Sequence, residues 1–99
     1  MERKLLSADD IERQLKTIEG WTAEGNVLRR RFEFANFAES LAFVNSVGAI
    51  AEALDHHPDI TFGWGYADVT TTTHDRGGVT DLDVELARRI NSIDEAQVI

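Results

Sequence analysis

The chain has 99 residues, of which 42% are apolar, a composition that suits one globular domain spanning residues 1–99. Its 18 acidic and 10 basic side chains give a formal net charge of −8, which disfavours binding to nucleic acid or to an anionic membrane. The absence of cysteine excludes disulfide bonds, thiolate catalysis and thiolate-based zinc sites.

The first predicted element is a short amphipathic helix. Ser7 followed by Asp10 resembles a capping box, with aspartate in place of the usual glutamate. Ile11, Leu15 and Ile18 then recur at helical spacing. Gly20 is the expected stop, because glycine commonly follows the last turn of a helix.

A β-hairpin is predicted next, with strands at 21–23 and 27–34 joined by the turn-prone residues 24–26. The second strand contains the one basic cluster of the chain, Arg29–Arg31. Since alternate residues of a strand point to opposite faces, Arg30 should separate from its two neighbours. The cluster is therefore interpreted as part of a solvated sheet, and not as a nucleic-acid site.

The second predicted helix is the longest. It begins at Asn36, which forms a cap together with Glu39, and it ends around Asp55 because Pro58 disfavours helical geometry at His57. Its apolar stripe consists of Phe37, Leu41, Val44, Val47, Ala51 and Leu54. We expect this helix to be the most deeply buried of the three.

A second hairpin follows. Ile60, Phe62 and Trp64 alternate with Thr61 and Gly63 in its first strand. Its second strand runs from Ala67 through a threonine tract to His74, since β-branched residues favour a pleated strand, and it ends before Gly77-Gly78. Trp21, Phe62 and Trp64 are expected in the core.

The last helix has the clearest start. Thr80 is its predicted cap, Asp83 occupies the third helical position, and Val79 is expected to pack on Val84. Its buried stripe consists of Leu82, Leu86, Ile90 and Ile93. The order α-β-β-α-β-β-α predicts an α+β fold with three helices packed on one face of a four-stranded antiparallel sheet.

The candidate chemistry lies in three histidines. His56 and His57 follow the long helix, and His74 ends a strand. Loops at one end of a sheet could bring these imidazoles into one pocket, where they would exchange protons near neutral pH. Isolated surface histidines and a zinc site remain alternatives, although no His-x-His or i, i+4 pair supplies a chelating geometry.

Two carboxylates could belong to the same site. Asp83 has a complete structural explanation as an anion at a helix N-terminus, yet a helix start that faces a pocket would also hold the carboxylate there. Glu52 lies about one helical turn before His56. It is either a solvated charge or an acceptor that orients a histidine ring.

These residues together resemble the pterin-4a-carbinolamine dehydratase family, and the resemblance covers nearly the whole chain. The matching motif consists of Glu52, Asp55-His56-His57-Pro58, Trp64, Thr73-His74, Gly77-Gly78-Val79-Thr80 and Asp83. The departures are minor: Trp64 stands where tyrosine is common, and Val79 stands for leucine. Phe62–Gly65 replaces a more polar segment.

The resemblance implies dehydration of 4a-hydroxytetrahydropterin to quinonoid dihydropterin, in tetrahydrobiopterin-type cofactor recycling. It implies that His56 and His74 are the acid and base, that His57 holds the pterin and that Asp83 supports the site. Residues lining the ligand would be Asp55, His56, His57, Thr72, Thr73, His74 and Asp75, with Glu52 and Trp64 in support. Neither a metal nor an organic cofactor is implied, because the pterin is itself the substrate.

The resemblance also implies a homodimer or homotetramer with sheets joined edge to edge. Some relatives are dimerisation partners of a transcription factor or assembly factors, so a non-catalytic interaction protein of the same fold is the alternative. The full set of histidines favours an enzyme. No apolar run follows Met1–Lys4, and no stretch is long enough to span a bilayer, so a cytoplasmic protein is predicted.

Overall fold

Three helices and a four-stranded antiparallel sheet make up residues 3–96, which are the residues that this computed structural model describes. The elements are α1 (Ala8–Leu15), β1 (Thr22–Glu24), β2 (Val27–Glu33), α2 (Phe37–Leu54), β3 (Asp59–Gly63), β4 (Tyr66–Thr71) and α3 (Asp81–Ala96). A 3₁₀ turn, His74–Arg76, lies between β4 and α3. The predicted α+β class and element order are confirmed.

The sheet has the strand order β1-β2-β4-β3, so that its two hairpins join through an antiparallel β2–β4 pair. Leu28 lies opposite Thr71 in that pair, and Asp59 at the start of β3 lies opposite Thr70. The end of β4 and the beginning of β3 therefore share one end of the sheet. The segment that follows α2 leads directly to this end.

Helix α1 is shorter than predicted. The capping box between Ser7 and Asp10 is present, but the helix ends at Leu15, five residues before the expected stop at Gly20. Gly20 has φ +88°, and a Cβ there would come within 2.6 Å of Nε of Arg30. Glycine is thus needed at this position to admit an arginine, and not to terminate the helix.

The basic cluster is divided between the two faces of the sheet, as predicted. Arg30 points to the helix side and donates a hydrogen bond to Oδ1 of Asn91 in α3 at 2.7 Å. Arg29 and Arg31 share the other face, where both pair with the carboxylate of Asp68, at 3.3 and 3.1 Å. Arg29 also pairs with Glu24 and Arg31 with Glu33, so neighbouring carboxylates neutralise the two arginines on that face.

Helix α2 is the longest helix, and part of the predicted stripe is confirmed: Val47 and Ala51 are buried, and Val44 and Leu54 pack against the core. Its buried residues are Ser40, Phe43, Val47 and Ala51. Phe37 and Leu41, which were expected in the core, are 44% and 41% exposed. No charged residue lies between Glu39 and Glu52, so the sequence has no charged face there with which to orient the helix.

The expectation that α2 would be the most buried helix is also wrong, because more residues are buried in the 81–93 part of α3 than in the whole of α2. By length and composition α2 could even cross a membrane, with a mean hydropathy of 1.3 over its 18 residues and 22% of them buried. The prediction that no stretch reaches that length is therefore wrong by this criterion. Since α2 packs on β3, β4 and α3, its place in the fold accounts for its apolar composition.

The aromatic residues form the centre of the core. The Phe32 ring lies 4.5 Å from the Phe43 ring and 6.3 Å from that of Trp21, which is buried as predicted. Trp64 is instead 71% exposed, because β3 ends at Gly63 and Trp64 stands in the turn that follows. The expectation of a core position for Trp64 is wrong.

Candidate active site

The end of α2 sets the directions of His56 and His57. Asp55 is in the left-handed conformation (φ 53°, ψ 43°), and the N–H of His56 donates to the carbonyl of Ala51 at 3.1 Å. This is a Schellman arrangement, which aspartate tolerates better than most residues with a Cβ. Helix α2 therefore ends ahead of Pro58, as predicted. The chain reverses direction there, and the imidazoles of His56 and His57 contact different carboxylates.

Asp83 forms the buried centre of the site. Its side chain is 0% exposed, and four donors surround the carboxylate. Oδ1 accepts a hydrogen bond from the hydroxyl of Thr71 at 2.5 Å, and Oδ2 accepts one from the hydroxyl of Thr73 at 2.8 Å. Oδ2 also accepts the backbone N–H of Thr80 at 2.8 Å, which completes the predicted cap of α3. The fourth donor is His56.

His56 is held by this carboxylate in one orientation. Its Nε2 lies 2.6 Å from Oδ1 of Asp83, and the side chain is 11% exposed. Because all the other contacts of Asp83 are donors to it, the carboxylate acts as an acceptor and Nε2 carries the hydrogen. Nδ1 of His56 is then the ring nitrogen that remains for other chemistry.

His57 has a carboxylate of its own. Its Nε2 lies 2.5 Å from Oε2 of Glu52, on the last turns of α2. Both side chains are largely exposed, so the pair orients the ring without burying charge. Glu52 is therefore a solvated carboxylate that also contacts a histidine ring.

His74 lies three residues beyond the end of β4, and not within the strand as predicted. Thr73 pairs with Gly78 as an isolated antiparallel bridge, and the intervening residues form the 3₁₀ turn. His74 is exposed at the first position of this turn. Among residues 3–96 its ring has no side-chain hydrogen-bond partner, unlike the rings of His56 and His57.

One cavity of about 350 Å³ brings the three histidines together. It is lined by Arg3, Asp55, His56, His57, Thr72, Thr73, His74 and Asp75. Every residue predicted to contact the ligand is in this set. Arg3 is the addition that sequence reasoning missed, since its neighbours in the chain form no motif. A second cavity of about 490 Å³, lined by Arg3, Leu54, Asp55, His56 and Leu82, adjoins the same His56.

Three further predicted site residues do not line the cavity. Asp83 lies behind His56, and Glu52 contacts the ring of His57. Trp64 lies at the other end of β3, whose five residues span roughly 17 Å, so within one copy of the chain it does not reach the histidines. In the described residues no group of three or more His, Asp or Glu side chains is arranged to hold a metal ion.

Comparison with known proteins relates almost the whole chain to one family. The family model described as pterin 4 alpha carbinolamine dehydratase matches residues 4–93. A protein of Sulfurisphaera tokodaii, provisionally named as a pterin-4-alpha-carbinolamine dehydratase, is 42% identical over 90 residues, which are 91% of this chain and 97% of that protein. A protein of Sulfolobus acidocaldarius with the same provisional name is 44% identical over 88 residues, covering 89% and 97%.

Two solved structures resemble the fold. The crystal structure of a transcriptional coactivator/pterin dehydratase from Brucella melitensis has a TM-score of 0.87 and 33% identity, covering 91% of this chain and 98% of that one. A pterin dehydratase-like protein identified as a RuBisCO assembly factor in the alpha-carboxysome has a TM-score of 0.60 and 26% identity, covering 74% and 84%.

Proposed function

The chain belongs to the pterin 4 alpha carbinolamine dehydratase family, and we propose that it converts 4a-hydroxytetrahydropterin to quinonoid dihydropterin and water. The observation that carries the proposal is that His56, His57 and His74 line one shared cavity. Three imidazoles around one small cavity can donate a proton, accept a proton and hold a ligand at the same time.

The reaction requires both an acid and a base. Hydroxide is a poor leaving group, so an acid protonates the 4a-oxygen as the carbon–oxygen bond breaks. A base removes the proton from N5, and the electron pair of that N–H bond forms the new double bond between N5 and C4a. Atoms balance as one water released, and no electrons leave the substrate. General acid and base groups each contribute about 10²–10⁴-fold.

His56 and His74 are the proposed acid and base. Asp83 fixes the tautomer of His56 and leaves Nδ1 for proton exchange with the ligand. His74 approaches the same cavity from the 3₁₀ turn, with an exposed ring that can exchange protons with water. His57, held by Glu52, is proposed to bind the pterin. The cavity is also lined by Asp55, Thr72, Thr73 and Asp75, and these residues are proposed to contact the pterin ring.

The chemistry requires no metal or organic cofactor, because the pterin is the substrate and is neither oxidised nor reduced. The proposed role is the recycling of a tetrahydrobiopterin-type cofactor after aromatic amino acid hydroxylation, in the cytoplasm. No binding to nucleic acid or membrane is part of the proposal, in keeping with a net charge of −8.

Self-association into a homodimer or homotetramer is proposed as well. β1 and β3 are the edges through which sheets of two copies could join. Helix α2 offers a second surface, because Phe37 and Leu41 are exposed and the helix has no charge between Glu39 and Glu52. In a chain with a net charge of −8, an uncharged face is where a second copy meets the least repulsion.

The test is direct. The 4a-hydroxypterin is generated in the presence of the protein, and its conversion to quinonoid dihydropterin is followed by absorbance. Wild type is expected to accelerate the conversion over buffer, whereas a His56→Ala/His74→Ala double variant is not. Absence of acceleration by folded wild type would overturn the enzyme proposal and leave the alternative of a non-catalytic interaction protein, the role named for the assembly factor of similar fold.

A further inference from the structure

The N-terminal segment is bound to the chain that leads into α3. Leu5 pairs with Thr80 as an isolated antiparallel bridge, and the N–H of Leu6 donates to the carbonyl of Val79 at 2.9 Å. A Cβ at Gly78 would lie 3.0 Å from Cδ1 of Leu5, so glycine provides the room for this approach. The pairing fixes the position of Arg3, two residues before Leu5, close to the histidine-lined cavity.

The side chain of Arg3 then reaches the turn that carries His74. Its guanidinium forms an ion pair with Asp75, which follows His74 directly. Arg3 also lines both cavities that adjoin His56, where it is the only lysine or arginine among the described lining residues. The backbone bridge and the ion pair together form a closed clamp, in which residues 3–6 contact residues 75–80 at two places.

We propose that Arg3 is a positioning residue that holds the His74 turn through Asp75. His56 and His57 are each oriented by a carboxylate. The ring of His74 has no such partner among residues 3–96, so its position depends on the backbone of the turn. That turn is closed by hydrogen bonds from the N–H groups of Arg76 and Gly77 to the carbonyl of Thr73, both at 3.0 Å. Arg3 adds the contact that ties the turn to the rest of the site.

The expected size of the effect follows from the exposure of the pair. Both side chains are partly exposed, so the ion pair contributes little to global stability. An exposed pair of ordinary strength changes a local equilibrium by up to about fivefold, which is enough to alter how often a short turn is closed. The clamp should therefore affect the His74 turn and turnover while leaving global unfolding unchanged.

The experiment compares Arg3→Gln with wild type in two measurements. Hydrogen exchange of the Arg76 and Gly77 amides reports the turn without reference to activity. The dehydration assay gives kcat and KM, and here the inference rests on the proposed function. Arg3→Gln is expected to accelerate exchange and to lower kcat, each by about fivefold, with the urea midpoint unchanged. Arg3→Lys should recover part of both effects.

A matched control and a rescue variant make the test specific. Arg13 forms the same kind of exposed pair with Asp10 on α1 and lines neither of the two cavities, so Arg13→Gln should change neither measurement. The exchanged pair Arg3→Asp/Asp75→Arg should restore slow exchange in the turn. Unchanged exchange in Arg3→Gln would overturn the inference, as would faster exchange with an unchanged kcat. If wild type has no activity, the proposed function fails separately and the exchange data alone decide whether the clamp exists.

Discussion

Nε2 of His56 lies 2.6 Å from Oδ1 of Asp83, and this contact joins the end of α2 to the first turn of α3. The two residues are 27 positions apart in the chain. The same carboxylate accepts hydrogen bonds from Thr71 and Thr73, so three segments of the site share one buried anion. Asp83 is thus both the cap of a helix and the residue that orients an imidazole.

Asp83→Ala is expected to reduce both stability and turnover. It removes a buried, charged acceptor and leaves several donors without a partner, so the free energy of unfolding should fall by about 2–3 kcal/mol, as measured by urea denaturation. Asp10, at the corresponding position of the α1 capping box but only half-buried, is the control, and Asp10→Ala should cost less. A loss of only about 1 kcal/mol with turnover intact would mean that Asp83 only caps its helix.

The three histidine substitutions should separate into two classes. His56→Ala and His74→Ala are expected to lower kcat by about 10²–10⁴-fold, because each removes a proposed proton-transfer group. His57→Ala should mainly raise KM, and so should Glu52→Gln, since the Glu52 carboxylate orients that ring. Steady-state kinetics at several pterin concentrations distinguish the classes. Full turnover in both His56→Ala and His74→Ala would contradict the assignment.

Asp55 allows its backbone and its carboxylate to be tested separately. Its left-handed conformation suits glycine, so Asp55→Gly should retain or slightly increase stability, whereas Asp55→Val should destabilise the end of α2 by about 1–2 kcal/mol. If the carboxylate contacts the pterin, Asp55→Gly will also raise KM. Thermal unfolding and kinetics on the same samples separate the two effects. Equal stability of the glycine and valine variants would contradict the backbone explanation.

The acid side of the stability curve should depend on Glu85. A hydrogen bond from Arg89, assisted by one from Arg88, lowers the pKa of Glu85 below its ordinary value of 4.5. The unfolded chain therefore binds more protons at low pH, so this contribution is complete above pH 4.5 and is lost as the pH falls through the lowered pKa. Glu85→Gln should cost about 0.2–0.5 kcal/mol at neutral pH. Urea denaturation across pH should show the variant and wild type converging in acid.

The exposed face of α2 predicts the effect of a charge on assembly. Leu41→Glu places an anion on the exposed apolar surface of α2, near the start of its uncharged run, and should reduce the molecular mass in solution, as measured by light scattering coupled to size exclusion. Leu5 is more exposed than Leu41 but lies on the N-terminal segment, so Leu5→Glu is the control and should not change the mass. Unchanged mass in Leu41→Glu would exclude this face as an interface.

Local chemistry explains what could be predicted from the sequence. The caps at Ser7, Asn36 and Thr80 each involve residues three positions apart, so the hydrogen bonds are determined within a few residues of chain. Strand alternation likewise separated Arg30 from its neighbours, and Pro58 marked the end of α2. The element order, the fold class and the set of residues around the cavity followed from such signals and from the family motif.

Packing between distant segments decided the rest. The run from Ser40 to Ala51 is uncharged, so its sequence allows more than one rotation of α2 about the helix axis. Contact with the sheet and α3 decides that Phe43 is buried and Leu41 is not. The Arg3–Asp75 pair joins residues 72 positions apart and has no local signature. The sequence by itself determined which elements form, because their hydrogen bonds are local. Only the tertiary structure determined which faces meet, because burial depends on neighbours that the chain brings together from afar.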